Sequence, residues 1–153
     1  VCLISDLLKI KGEQHMKTAE VLVEANKKEM LSVTPDTTIY DTIQKMVSNK
    51  TGSILVKEDN KIVGIWTERD YLRDTVTKGF NPYTSFVKEY MQRKIFFANH
   101  DENVYQLMDK FLGLRIRHLP IKKDGEVIGL LSSGDVLREL LKNKDHIQYF
   151  YYH

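Results

Sequence analysis

The feature that most constrains this sequence is a pattern that it contains twice. The stretch VGIWTERDYLR runs from Val63 to Arg73, and IGLLSSGDVLR runs from Ile128 to Arg138. In both, a glycine is followed by two apolar residues, a hydroxyl residue, two variable positions and an aspartate. The two glycines lie 65 residues apart, and so do the hydroxyl residues and the aspartates. An internal repeat of this kind predicts one structural unit built twice.

The same offset extends over most of the chain without an insertion. PDTTIYDTIQKMV (35–47) aligns with HDENVYQLMDKFL (100–112), and SILVKEDNKIVGIW (53–66) aligns with HLPIKKDGEVIGLL (118–131). Both segments of the first pair have the apolar spacing of a helix, and both segments of the second pair have two short β runs joined by a turn. A further helix is predicted after each aspartate. Each copy therefore reads helix, strand, strand, helix, which predicts an α/β (α+β) fold with two small sheets covered by helices.

Local signals predict where these elements begin and how they are connected. Thr38 with Asp41 and Asn103 with Gln106 are expected to cap the first helix of each copy. Ser85–Arg93 is expected to form a short amphipathic helix between the copies, Ser5–Lys11 a helix, and Ala19–Met30 a helix or partly a strand. The sequence predicts a lead-in at residues 1–30, a first repeat at 31–76 and a linker helix at 77–95. A second repeat follows at 96–142, and then a C-terminal tail at 143–153.

Composition and charge exclude several classes of function. The net charge is +2, with basic residues scattered among acidic ones, which argues against nucleic acid and anionic membranes as partners. No apolar run approaches the roughly 20 residues of a membrane-spanning helix. The one cysteine, Cys2, has no second cysteine to pair with, and no His, Cys and carboxylate set has metal-ligand spacing. These features predict a cytoplasmic protein with no metal site.

The repeated motif alone has two interpretations. A hydroxyl residue followed three positions later by an acid is a capping box, and Thr38 to Asp41 has the same form. In the motif, however, a glycine and a β strand come immediately before the hydroxyl residue. The free N–H groups at such a helix start favour a polar ligand or an anion, and an aspartate there can accept from both hydroxyls of a ribose.

With its flanking residues, the duplicated pattern resembles a pair of cystathionine-β-synthase (CBS) domains, together called a Bateman module. GIWTERD and GLLSSGD match the Gly–apolar–apolar–Thr/Ser–x–x–Asp signature of that family, and IRHLPIKKDGEVIGLLSSGDVL resembles the second repeat of small stand-alone bacterial members. The resemblance covers nearly the whole chain except residues 13–29 and the tail. It implies two pseudo-symmetric repeats packed as one module, with two clefts that bind adenosyl ligands.

The resemblance also implies which residues contact the ligand. Asp70 would hold the ribose in one cleft and Asp135 in the other, with Thr67 and Ser132 beside the ribose or phosphate. The base would lie against the segment that opens the opposite repeat. These segments are Lys94, Ile95 and Phe96 for the Asp70 cleft, and Met30 and Leu31 for the Asp135 cleft.

Phosphate recognition is expected to distinguish the two clefts. Related modules place basic residues facing the phosphate where this chain has Arg117 and His118, so the Asp70 cleft, which these residues would complete, is expected to prefer a phosphorylated ligand. Arg69 is a further candidate phosphate contact. The Asp135 cleft is expected to be empty or to take a less charged adenosyl compound.

Three classes of function follow from these expectations. The first is a non-catalytic sensor that binds AMP, ADP or ATP, needs no cofactor, forms a homodimer and acts on an unidentified effector protein. The second is a homodimeric interaction scaffold with vestigial clefts, and a binder of S-adenosylmethionine or NAD(H) is a related alternative. The third is an enzyme, which is disfavoured because the sequence offers no set of nucleophile, base and metal ligands and no glycine-rich phosphate loop.

Overall fold

The computed structural model describes residues 16–142. Cys2, the predicted helix Ser5–Lys11 and the aromatic tail lie outside the described residues. The described chain divides into two compact units. Residues 30–95 form the unit of repeat 1, while the residues up to Glu29 and from Phe96 onward form the unit of repeat 2.

Both units contain the elements that the sequence predicts, together with one short additional strand each. The elements are α1 Ala19–Asn26, β1 Ser32–Val33, α2 Ile39–Ser48, β2 Ser53–Glu58, β3 Lys61–Thr67, α3 Glu68–Asp74, α4 Val87–Tyr90, β4 Ala98–Asn99, α5 Val104–Leu114, β5 His118–Lys123, β6 Glu126–Ser132 and α6 Ser133–Lys142. None of these described helices is long and apolar enough to span a membrane.

Each unit contains a three-stranded sheet with the same topology. The order is β1-β2-β3 in repeat 1 and β4-β5-β6 in repeat 2, and in both the first strand is parallel and the third antiparallel to the central one. The turn residues Asp124 and Gly125 both have positive φ, at 50° and 81°, which confirms the predicted hairpin. The registers match as well, because Ser53 pairs with Thr67 and His118 pairs with Ser132.

The predicted caps of the first helix in each repeat are present. The backbone N–H of Asp41 donates to the hydroxyl of Thr38 over 3.1 Å. Asn103 accepts from the backbone of Gln106, whose side chain accepts in return from the backbone N–H of Asn103 over 2.9 Å. These reciprocal bonds satisfy amides that a helix start leaves without intrahelical partners.

The predicted bounds of three helices are wrong. The helix of each motif begins before the aspartate, at Glu68 and at Ser133, because the hydroxyl residue at the end of the strand is already the cap. The helix expected over Ser85–Arg93 is confined to Val87–Tyr90. It stops because Gln92 exchanges two backbone hydrogen bonds with Ile65 of β3, which are incompatible with a continuing helix.

A short helix that lies outside each aligned repeat packs on the last strand of a sheet. α1 contacts β6 and α6 in the repeat 2 unit, and α4 contacts β3 in the repeat 1 unit. The glycine of each motif permits this approach. An added Cβ at Gly129 would lie 2.4 Å from Cγ1 of Val23, and one at Gly64 would lie 2.2 Å from Sδ of Met91.

Each unit has its own hydrophobic core. In repeat 1 the core includes Ile39, Ile54 and the buried Trp66, and in repeat 2 it includes Leu107 and Leu119. Several apolar residues in or just after helices stay exposed instead, and they occupy the same three positions in both repeats. These residues are Val47 and Leu112, Leu72 and Leu137, and Val76 and Leu141.

The close contact between α1 and β6 predicts a cost for filling Gly129. We expect Gly129→Ala to lower the free energy of unfolding by about 1–3 kcal/mol, because the branched side chain of Val23 cannot turn aside without disturbing the helix. Gly64→Ala should cost a similar amount, since the methyl would meet Sδ, Cγ and Cβ of the buried Met91. Urea denaturation measures both changes. Gly113→Ala is the control, because no atom lies within 4 Å of its added Cβ. A neutral Gly129→Ala variant would contradict this packing.

Candidate ligand site at the strand-to-helix junctions

The first junction lies where β3 ends and α3 begins. Oδ2 of Asp70 accepts two hydrogen bonds of 2.9 Å from Thr67, one from its backbone N–H and one from its hydroxyl. The backbone N–H of Asp70 donates to the Thr67 hydroxyl over 3.3 Å, which completes a capping box. Asp70 is only 7% exposed. The capping interpretation is therefore correct for one of its two carboxylate oxygens.

The other oxygen of Asp70 is directed at different groups. Oδ1 accepts from Nη1 of Arg73 over 3.0 Å and from Nε2 of Gln92 over 3.2 Å. Both donors lie on exposed, long side chains that can leave without unfolding the helix start. Oδ1 is therefore the atom to which a ligand hydroxyl can bind while Oδ2 keeps the junction intact.

Arg73 connects this carboxylate to a second, more deeply buried one. Its Nη2 and Nε donate to Oδ1 of Asp74 over 2.7 and 2.9 Å, and the indole N–H of Trp66 donates to Oδ2 of Asp74 over 3.0 Å. Partial burial lowers the pKa of Arg73, but its pairs with Asp74 and Asp70 outweigh burial and raise it. A chain of hydrogen bonds therefore links Asp70 to the one tryptophan of the sequence.

The hydroxyl of Ser53 lies at the same end of the repeat 1 sheet. Ser53 pairs directly with Thr67 across the sheet, so their side chains share one face. It is 1% exposed, yet its Oγ has no hydrogen-bond partner among the described residues. A buried hydroxyl of this kind normally finds a partner, and a polar ligand would supply one.

The second junction repeats the first at the end of β6. Oδ2 of Asp135 accepts from the backbone N–H of Ser132 over 2.8 Å, and the backbone N–H of Asp135 donates to the Ser132 hydroxyl over 3.1 Å. Oδ1 accepts from Nη2 of Arg138 over 2.5 Å and from Nζ of Lys28 over 3.2 Å. Asp135 is 6% exposed. The two junctions thus share their cap and their arginine and differ in one donor.

The cations around Asp135 change its ionisation. Burial raises the pKa of this carboxyl, but hydrogen bonds from Ser132 and the ammonium of Lys28 outweigh burial and hold the pKa below its ordinary value of 3.8. The carboxylate is therefore charged at neutral pH and remains a strong acceptor for ligand hydroxyls.

The predicted site residues fall into two groups, one in each unit. Those in the repeat 1 unit are Met30, Leu31, Thr67, Arg69, Asp70, Lys94 and Ile95, and those in the repeat 2 unit are Phe96, Arg117, His118, Ser132 and Asp135. Within repeat 1, Gln92 lies two residues before Lys94, and its side chain contacts Asp70. Within repeat 2, the carbonyl of Arg117 accepts from the backbone N–H of Ser133 over 2.9 Å. The predicted base segments end just before β1 and β4 rather than inside them.

Sequence reasoning missed four of the side chains that contact the two aspartates. Arg73 and Arg138 carried a signal, because they are the last residues of the two repeated stretches and are 65 residues apart. Gln92 and Lys28 carried none, since they lie outside the aligned segments. No group of three or more His, Cys, Asp or Glu side chains suited to a metal is found within residues 16–142.

The lowered pKa of Asp135 predicts a pH dependence of stability. A carboxyl whose pKa is lower in the folded chain stabilises the fold above its unfolded pKa, and this contribution is lost as the pH falls through the folded pKa. We therefore expect wild-type protein to lose more unfolding free energy than Asp135→Asn between about pH 6 and pH 3. Chemical denaturation at a series of pH values measures the difference. Asp124→Asn, in the exposed hairpin turn, is the control, and identical profiles for wild type and Asp135→Asn would contradict the assignment.

The sequence matches proteins that contain the same repeated arrangement. The model of the family described as the CBS domain matches residues 22–75 and 87–142. Among curated proteins, CBSX3 of Arabidopsis thaliana, a mitochondrial CBS domain-containing protein, is 32% identical over 151 residues, or 95% of this chain and 68% of its own length. CBSCBSPB2 of the same plant is 28% identical over 116 residues, so the chain spans 22% of that longer relative.

Solved structures share the fold. A crystal structure of a CBS domain, 34% identical, covers 82% of this chain and 99% of its own chain with a TM-score of 0.78. The CBS domain pair of protein MJ0100, solved in complex with 5-methylthioadenosine and S-adenosyl-L-methionine, covers 85% of this chain and 99% of its own with a TM-score of 0.72. At 20% identity, that second likeness shows the fold alone.

Each matched range contains one junction. The first range begins within α1, and the second begins at the start of α4. The resemblance inferred from the repeated motif is therefore confirmed, as is the mixed α/β fold of two small three-stranded sheets. The chain belongs to the CBS domain family and is a CBS domain pair, a regulatory type of module.

Proposed function

We propose that this chain is a non-catalytic sensor that binds an adenosyl ligand, with AMP, ADP or ATP as its physiological ligands. The observation that carries the proposal is the pair of buried carboxylates at the two junctions. In each, Oδ2 is fixed by the cap, while Oδ1 faces exposed side chains. A ribose diol can replace those side chains on Oδ1 and gain charge-assisted hydrogen bonds.

Other features support an adenosyl ligand. The CBS pair of MJ0100 has the same fold and binds two adenosyl compounds, which makes S-adenosylmethionine the main alternative, followed by NAD(H). For the ribose or phosphate we propose Thr67 and Ser132 as additional contacts. For the base we propose the segments before β1 and β4, which hold Met30 and Leu31 and Lys94 to Phe96. Arg69, Arg117 and His118 are the proposed basic contacts for a phosphate.

Ligand binding should be visible as thermal stabilisation that depends on both carboxylates. An adenosyl ligand at about 100 times its dissociation constant adds roughly 2.7 kcal/mol to the unfolding free energy, which corresponds to a rise in Tm of roughly 5–10 °C. We expect this from at least one of AMP, ADP, ATP, S-adenosylmethionine and NADH. Asp70→Asn and Asp135→Asn should each weaken binding at their own junction by about 10- to 150-fold, the value of a charge-assisted hydrogen bond.

The chain offers a matched control and a local reporter for this experiment. Asp41→Asn changes the aspartate of a Thr-x-x-Asp sequence that caps through its backbone N–H and is not at a strand-to-helix junction, so it should leave binding unchanged. Trp66 should change its fluorescence when ligand binds at Asp70, through Arg73 and Asp74. No Tm shift with any of these ligands would contradict the sensor. Ligand turnover that either aspartate variant abolishes would indicate an enzyme instead.

A second candidate function, self-association, is favoured by the exposed apolar positions. Leu72 and Leu137 are 73% and 49% exposed, and Val76 and Leu141 are 87% and 53% exposed. Each unit therefore exposes apolar residues at the same two positions, and a twofold-symmetric dimer buries the same residues of both chains. We propose that a second copy of this chain covers them. Such a dimer fits both functions. In a sensor it would transmit ligand occupancy, and in a scaffold it would be the interaction itself.

Replacing these leucines tests the dimer. We expect Leu72→Glu combined with Leu137→Glu to convert the wild-type dimer to monomers, because each buried leucine contributes about 1.5–3 kcal/mol at an interface and a charge there opposes association. Light scattering coupled to size exclusion gives the mass of each species. Val21→Glu, at another exposed apolar position, is the control. A monomeric wild-type chain at micromolar concentration would reject this surface as a dimer interface.

A further inference from the structure

We propose that Lys28 selects a phosphorylated ligand at the Asp135 junction, whereas Gln92, which occupies the same place at Asp70, leaves that junction to adenosyl ligands without an anionic group. The inference rests on the proposed function, since it assigns a ligand class to each of the two carboxylates. It also reverses the expectation from sequence, which gave the phosphorylated ligand to Asp70.

The two junctions have the same cap and differ in the second donor to Oδ1. Gln92 Nε2 and Lys28 Nζ both lie 3.2 Å from Oδ1 of the aspartate in their own unit. Both precede the segment where the chain passes from one unit to the other. One donor is a neutral amide and the other a full positive charge, so the second donor to Oδ1 differs by one charge between the two junctions.

Neighbouring positions differ mostly in the same direction. Repeat 1 has Gly52 and Glu68 where repeat 2 has Arg117 and Ser133, and in each unit the backbone of this pair is joined by a hydrogen bond of 3.0 or 2.9 Å. The carboxylate of Glu68 lies close to Gly52, 3.1 Å from where a Cβ would be. Arg69 opposite Gly134 is the one change that favours repeat 1.

The arginine of each motif is also used differently. In repeat 1, Arg73 is divided between Asp70 and the buried Asp74. In repeat 2, the residue matching Asp74 is Glu139, which pairs with Lys17 over 2.8 Å and with Lys142 over 3.4 Å. Arg138 therefore stays with Asp135, which faces two cations, while Asp70 shares one cation with another carboxylate.

Lys28 is placed to transfer from the carboxylate to a phosphate. Its side chain is 64% exposed, and it follows Lys27, whose left-handed conformation ends α1. When a ribose takes Oδ1 of Asp135, the released ammonium can turn to the phosphate on the same ligand, which exchanges one anionic partner for another. At Asp70 the released amide of Gln92 gains less, because a charged donor binds phosphate more strongly than a neutral amide does.

Calorimetric titration with AMP and with adenosine separates the phosphate from the nucleoside. Asp70→Asn isolates the Asp135 junction, and in this background we expect AMP to bind more tightly than adenosine. Adding Lys28→Gln should weaken AMP by about five- to tenfold and leave adenosine within about twofold. In the Asp135→Asn background, Gln92→Lys should instead strengthen AMP relative to adenosine. Lys27→Gln, which removes the same charge from the adjoining residue, is the control.

The outcomes separate this inference from the proposed function. A ratio of AMP to adenosine affinity that Lys28→Gln does not change would overturn the role of Lys28 while leaving the sensor intact. So would a preference for AMP found only in the Asp135→Asn background. Failure of the wild-type chain to bind either compound, or any other adenosyl ligand, would reject the proposed function and this inference with it.

Discussion

The structure depends on a buried carboxylate that closes the passage from a strand to a helix. At Thr67–Asp70 and again at Ser132–Asp135, the carboxylate accepts the last amide of the strand, and the hydroxyl residue accepts an amide of the first helical turn. A glycine three residues before the hydroxyl residue lets a short helix lie directly on that strand. Burial keeps water from competing for the cap, so the position of the second carboxylate oxygen is fixed by the fold itself.

The fold was largely predictable because its main signals are local and occur twice. The hairpins, both caps and the helical faces followed from turn residues and apolar spacing, and the offset of 65 made each copy evidence for the other. The two-residue strands β1 and β4 have no periodicity to detect, because they are held by parallel pairing with a distant strand. Likewise, Leu72 and Leu137 fit a helical pattern but are exposed, since periodicity finds an apolar face without saying what covers it.

In the candidate site, likewise, the residues that belong to the repeated motif were predictable from the sequence. The two aspartates and their hydroxyl partners belong to the repeated motif, and the structure places each pair together. The side chains that distinguish the junctions come from segments outside the alignment, and their contacts span 22 residues for Gln92 and 107 for Lys28. Such contacts are set by the tertiary path of the chain, which spacing within a motif does not encode.

That path places both of these donors beside the connections between the two units. The chain leaves the repeat 2 unit after Glu29, builds all of repeat 1, and returns at Phe96. Lys28 and Gln92 lie within four residues of these two crossings. Each carboxylate therefore accepts a hydrogen bond from a residue close to a connection between the units. If the proposed ligand takes Oδ1 at either junction, the side chain that it displaces is one that lies beside such a crossing.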